Sequence, residues 1–265
     1  VYLVSQEGTQ NIFYEEPMVK WGTQIMRPEI YYFDNPDQNY QFNTVSSIDL
    51  SEKKVVDTKT FMLGYANTLM VSENNIYIAY QKQDYWFWRW RSQQYEKERF
   101  DEIILPRLPS DLKNDIESID DQRISDEEKW SKISERLSQF YNDVENDGEL
   151  QEQYEDLFGD IQDALEEYDT KKSLEERKTI IHKISIDDGM IDHAAQGAVY
   201  GSLLNQFSLD EYEGNLRVAT TVDLWTGNRI TYNNVYVLDG DLEQIGKVEN
   251  IAKDERIYST RFLGD

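Results

Sequence analysis

The chain contains no cysteine, two histidines and five prolines among its 265 residues. Without thiols, disulfides, thiolate metal sites and cysteine nucleophiles are all excluded. There is no GxSxG elbow, no HExxH, no phosphate-cradling glycine loop and no dinucleotide fingerprint. With no supported histidine triad either, the residues argue against catalysis. No apolar run approaches the length of a membrane span. Basic residues are scarce, 27 against 52 acidic ones, for a net charge of −25. A field of that sign repels nucleic acid and anionic membrane, so neither is expected as a partner. Cations, basic proteins and neutral glycans stay open, and the plainest meaning of the charge is solubility in a salty medium.

What is present is apolar and aromatic: 39% hydrophobic and 13% aromatic residues, with 18 tyrosines. That suffices for a core in one large domain or two ordinary ones. A β-rich unit recurs, at Val1–Ser5, at Asn74–Tyr80 and at Gly214–Thr221. Between these copies, Ile30–Phe33 reads as an aromatic strand closing on an Asp-Asn-Pro turn. Thr44–Leu50 alternates apolar and polar residues before the charged turn Ser51–Lys54, and Val55–Phe61 leaves that turn as the next strand.

From about 95 to 178 the period changes. Trp130, Ile133, Leu137, Phe140 and Val144 recur at steps of three and four and share one helical face. Ser125 with Glu128 forms a capping box at the start of that helix. Asn146-Asp147-Gly148 breaks it, and Leu150, Tyr154, Leu157, Ile161, Leu165 and Tyr168 make a second stripe. The pattern predicts an antiparallel helical hairpin preceded by a shorter helix near 111–120. This segment carries more than half of the net negative charge.

After Thr179 the strands resume, with Asp187-Asp188-Gly189 and Asp239-Gly240-Asp241 as turns. With the helical segment set aside, the repeat spacing of roughly fifty residues and the short strands match β-propeller blades. The expected layout is blades over 1–94, an inserted acidic helical hairpin over 95–178, and further blades over 179–265. The chain opens inside a strand without an initiator Met and closes on Ile257–Phe262, read as a final strand with its turn. That leaves about two to three blades where a ring needs about four or more. An incomplete propeller, part of a longer one, is therefore expected.

Several stretches resemble a secreted β-propeller domain family of archaea and some bacteria, distantly related to WD40 repeats. They are Pro28–Pro36, Val71–Tyr80, Leu204–Tyr212, Leu216–Thr221, Asn233–Asp239 and Glu255–Phe262. The resemblance covers roughly 28–83 and 179–265, and the helical segment looks like an insertion between blades. It implies a propeller exposed outside the cytoplasm, in the cell envelope or beyond it, with no established activity or cofactor. The matching motifs are blade strands, so no functional residue follows from them.

Four sites merit weighing. In Tyr85–Arg91, an extended backbone would place Trp86, Trp88 and Trp90 on one face and Tyr85 on the other. Tyr85, Trp86, Trp88 and Trp90 are the candidate interaction surface for a protein or glycan; the competing reading packs these rings beneath the helices. His182 and His193 flank the Asp187–Gly189 hairpin and lie directly opposite each other if the turn centres on Asp187-Asp188. If it centres on Asp188-Gly189, the commoner choice, they are out of register; the first case would place a metal pair near Asp192. The two Asp-Gly turns offer oxygens to Ca²⁺, although they are turn signals first. Asp210 and Glu211 are adjacent in a strand and point to opposite faces, so they do not flank one glycosidic bond.

These observations lead to an extracytoplasmic propeller segment that binds or supports proteins at the cell surface, with the remaining blades or other subunits as neighbours and no cofactor. The alternatives are a polysaccharide-acting enzyme using channel carboxylates and a calcium-dependent adhesion module.

Overall fold

Alternating apolar side chains build three four-stranded sheets in the computed structural model, which describes residues 1–8, 17–34, 37, 39–82, 93–225 and 228–264. The first sheet joins β1 (Tyr2–Gly8), β4 (Glu29–Tyr32), β5 (Tyr40–Asp49) and β6 (Lys54–Gly64) in the order β1-β5-β6-β4. A two-stranded ribbon, β2 (Val19–Trp21) with β3 (Gln24–Met26), precedes β4, and the Trp21 indole donates to the Lys53 carbonyl at 3.1 Å. The second sheet is a meander of β7 (Thr68–Val71), β8 (Asn75–Gln81), β9 (Lys178–Asp187) and β10 (Met190–Tyr200). The third is a meander of β11 (Leu209–Tyr212), β12 (Asn215–Trp225), β13 (Arg229–Leu238) and β14 (Gln244–Ile251). The turns Asp188-Gly189 and Glu213-Gly214 place both central residues at positive φ, the geometry that follows the twist of a tight hairpin.

The two-residue period of a strand decides which core each side chain enters. On β8, Ile76, Ile78 and Tyr80 join Ile180, Ile184 and Ile186 of β9 and Val45, Phe61 and Leu63 of the first sheet. The alternate residues Tyr77 and Ala79, with Ile181, pack on Leu209, Leu216, Val218, Tyr236 and Leu238 of the third sheet. The middle sheet is thus apolar on both faces. A bulge between His193 and Ala195 shifts the register of β10. Ile191 before it belongs to the first core, and Ala195 and Val199 after it belong to the second.

Residues 87–171 form a separate compact unit, and Val1–Trp86 with Lys172–Asp265 form the other. The helices are α1 (Gln93–Arg99), α2 (Ser110–Asp120), α3 (Asp126–Glu145) and α4 (Gly148–Glu176). A π-helical turn at Phe100–Ile104 and a 3₁₀ turn at Leu105–Arg107 lead from α1 towards α2. The capping box forms as its spacing predicts: Glu128 N donates to Ser125 Oγ at 3.3 Å, and Ser125 N to the Glu128 carboxylate at 3.2 Å. The α3 and α4 stripes face each other, with Phe140 5.2 Å from Tyr154 and Ile161 against the Phe100, Ile116 and Ile133 core. Inside this unit Asp169 receives Tyr95 and pairs with Arg99 at 3.0 Å. The insertion therefore carries α1 and the π turn in addition to the expected hairpin and short helix.

Two sequence expectations need correction. The helical segment does not lie between blades; it enters between β8 and β9, neighbours in one sheet. Lys82 N donates to Lys178 O at 2.8 Å, so the ladder closes behind the insertion. The first sheet departs from a simple meander because β4 runs parallel to β6. Ile257–Phe262 forms no strand. That segment instead crosses the outer side of the third sheet, where Ile257 N donates to Thr221 Oγ1 at 3.3 Å and Glu255 O accepts from Asn233 at 3.1 Å. Side-chain hydrogen bonds replace the ladder there.

Candidate functional site

Several polar side chains capable of chemistry are engaged in joining sheets. Glu211 on β11 accepts hydrogen bonds from Ser72 Oγ at 2.5 Å, Tyr77 OH at 3.0 Å and Asn75 Nδ2 at 3.1 Å. Burial pushes the Glu211 carboxyl up, but these donors outweigh it and the net shift is downward. The ionised group thus ties the third sheet to the middle one. Tyr77 is pushed well above the usual phenol range by burial and by the Glu211 charge, so it stays a donor. Asp210, the adjacent carboxylate, faces the other way and pairs with Arg217 at 2.5 Å. The sequence expectation that these two carboxylates cannot share a bond holds.

The first and middle sheets are joined near the β9–β10 turn. Gly189 N donates to Tyr2 OH at 3.1 Å, Ile191 N to the Asp57 carboxylate at 2.9 Å, and Lys59 to Asp192 at 2.6 Å. Asp192 is thereby turned to Lys59 and not to the histidines. The hairpin centres on Asp188-Gly189, which puts His193 opposite Ile184 and His182 opposite Gln196. The two imidazoles still meet, His182 Nδ1 to His193 Nε2 at 3.1 Å, because they share one face of the sheet diagonally. Phe33 lies against both rings at 4.6 and 4.5 Å, and Tyr80 stacks on His182. His182 is fully buried, and burial followed by His193 lowers its pKa to about 3. Among the described residues no group of three His, Asp or Glu side chains converges as a metal site.

The Asp239 carboxylate accepts from the backbone of Asp241 and Glu243 at 3.0 and 2.9 Å, so it caps its own turn. Tyr85, Trp86, Trp88 and Trp90 lie outside the described residues. Among the described residues no helix is long and apolar enough to cross a membrane.

Among the described residues, concavities open on both units. In the β unit, a cleft of about 600 Å³ runs between the edge strands β1 and β7, lined by Tyr2, Val4, Gln6, Asn67, Leu69 and Val71. In the helical unit, a cavity of about 570 Å³ has a floor of Phe100, Leu105, Ile116, Trp130 and Ile133. Trp130 meets Phe100 edge to face at 5.4 Å. The apolar period of α3 foretells Trp130 and Ile133. The π turn that brings Phe100 alongside them carries no sequence signal of its own.

Comparison with known proteins agrees with the sheet architecture. An uncharacterized protein of Methanocaldococcus jannaschii is 29% identical over 253 residues, 93% of this chain and 38% of that protein. An uncharacterized protein of Archaeoglobus fulgidus is 38% identical over 158 residues, 60% of this chain and 23% of that protein. The chain thus spans well under half the length of these relatives. No solved structure matches it. The family described as the beta propeller domain matches residues 4–265, nearly the whole chain, and the chain belongs to that family.

Proposed function

We propose that this chain is a propeller segment acting outside the cytoplasm as a binding and structural module for a protein or glycan at the cell surface, without catalysis. The observation that carries this reading is the use made of its reactive side chains. Glu211 and the histidine pair, the groups best suited to proton transfer, are held between sheets by fixed partners or buried in aromatic surroundings. They stiffen a scaffold. Among the described residues β1, β7 and β11 are edge strands, and their outer edges supply backbone groups for a further blade or a neighbouring subunit. The cleft beside β1 and β7 and the acidic helical unit supply the contact surfaces.

The test is made on the full-length protein in its own cells. A membrane-impermeant amine label should reach it on intact cells, and cross-linking should join it to an envelope protein or glycan. Protection from the label until lysis refutes the location. Hydrolysis of envelope polysaccharide by the purified protein, lost on changing one carboxylate, refutes the non-catalytic role.

A further inference from the structure

We propose that the cavity between α1, the π turn, α2 and α3 binds an aliphatic polyamine-type cation, a methylene chain bearing two or more ammonium groups. The cavity itself is the site, and its floor selects the class of ligand. Leu105 and Trp130, both partly exposed, offer carbon and ring faces above the buried Phe100, Ile116 and Ile133. A hydrated metal ion gains nothing from such a floor, whereas a methylene chain buries surface against it. A volume of about 570 Å³ lies in the range of small-molecule sites. The π turn at Phe100–Ile104 forms part of the wall, a departure from regular helix often found at binding sites.

The rim sets the sign of the charge. Asp101 stands on the π turn, Glu117, Asp120 and Asp121 at the end of α2, and Asp126 and Glu127 at the start of α3. Two lysines also line the space. Lys129 is engaged, bonding the Asp120 carbonyl and lying 3.6 Å from its carboxylate, and Lys97 pulls on Asp101. The acids of α2 sit where the helix dipole is negative, its last turn holds no basic residue, and the Lys129 ammonium from α3 is bonded to that end. Burial raises the Asp101 carboxyl, Lys97 opposes the rise, and Asp120 and Glu102 add smaller upward contributions. Carboxylates on three sides of an apolar floor match ammonium groups spaced along a chain, and the Trp130 ring offers a face to one of them.

Spermidine is the probe, titrated into the whole chain by calorimetry at about 0.15 M salt, where surface charge is largely screened. Isoleucine methyl spectra are recorded alongside. The expected result is saturable one-to-one binding that shifts the Ile116 and Ile133 methyls and survives equimolar Mg²⁺. The double variant Asp101→Asn/Asp120→Asn should weaken it at least fivefold, while Glu152→Gln/Glu155→Gln on α4 leaves it unchanged. Absence of binding, displacement by Mg²⁺, equal weakening by both double variants, or silent Ile116 and Ile133 methyls each overturn the proposal. The last three outcomes would mark a general counterion atmosphere around an acidic protein.

Discussion

His182 and His193 touch through Nδ1 and Nε2 at 3.1 Å although neither is the backbone partner of the other. Both rings lie in the core between the first and middle sheets, against Phe33. Burial, then His193, holds the His182 pKa down at about 3, and burial also lowers that of His193. Two imidazolium ions at this separation would repel in a poorly solvated site, so the pair is neutral near pH 7.

The stability of the β unit should therefore depend on pH in a stated direction. A histidine whose folded pKa is depressed contributes fully above its unfolded value of about 6.5, and that contribution is lost as pH falls towards 3. Between pH 6.5 and 5, His182 alone should account for about 2 kcal/mol. Urea unfolding at several pH values reads this. His182→Leu should flatten the curve over that window, and parallel curves for variant and parent would refute the assignment.

Glu211→Gln should weaken the joint between the middle and third sheets. The amide puts donors where Ser72, Asn75 and Tyr77 already donate. A loss of about 1.5–3 kcal/mol is expected for hydrogen bonds to a charged group. A double-mutant cycle of Glu211→Ala with Tyr77→Phe should show coupling; additive losses would mean that the contact contributes nothing.

Gly197 on β10 lies against Leu242 in the turn between β13 and β14. A Cβ there would meet the Leu242 carbonyl oxygen at 2.5 Å, and backbone cannot swing aside. Gly197→Ala should cost more than about 2 kcal/mol in denaturant unfolding, in the range of overpacked cores. Gly246→Ala is the control, since its Cβ meets Val237 at an ordinary 3.7 Å. Equal effects would show that the two sheets separate freely at Gly197.

Arg217 fixes the final segment. It pairs with Asp210, donates to the Gly264 carbonyl at 2.6 Å and lies over the rings of Tyr212 and Phe262. Arg217→Ala should release residues 255–264 and speed tryptic cleavage after Arg256 and Arg261 several-fold, with the Ile257 amide exchanging faster. Unchanged cleavage would mean that Thr221, Asn233 and the Arg256–Asp223 pair hold the segment without Arg217.

Features set by near neighbours were legible from the residues. The capping box at Ser125 and Glu128, the helix break near Asn146 and the Asp188-Gly189 turn all formed, because each depends on a few consecutive residues. The β-rich stretch Asn74–Tyr80 and the strand resuming after Thr179 likewise formed, as β8 and β9. The Ile257–Phe262 expectation failed for the complementary reason. Its composition suits a strand, but Thr221, Asn233 and Arg217 bind it through side chains across a sheet face. The histidines are out of direct register, as an Asp188-Gly189 turn implies, and they meet because diagonal neighbours on one face also come into contact.

Composition, period and turn chemistry thus determined by themselves that this protein is a set of short-stranded sheets interrupted by acidic helices. These signals act over a turn of helix or a pair of residues in a strand. Only the tertiary structure decided that the helices enter within one sheet, that Glu211 secures a neighbouring sheet, and that a π turn opens a cavity beside Trp130. Each of those depends on residues tens of positions apart being brought together by the burial of apolar faces. Hydrophobic burial is non-directional, so partner identity emerges only when whole sheets and helices pack.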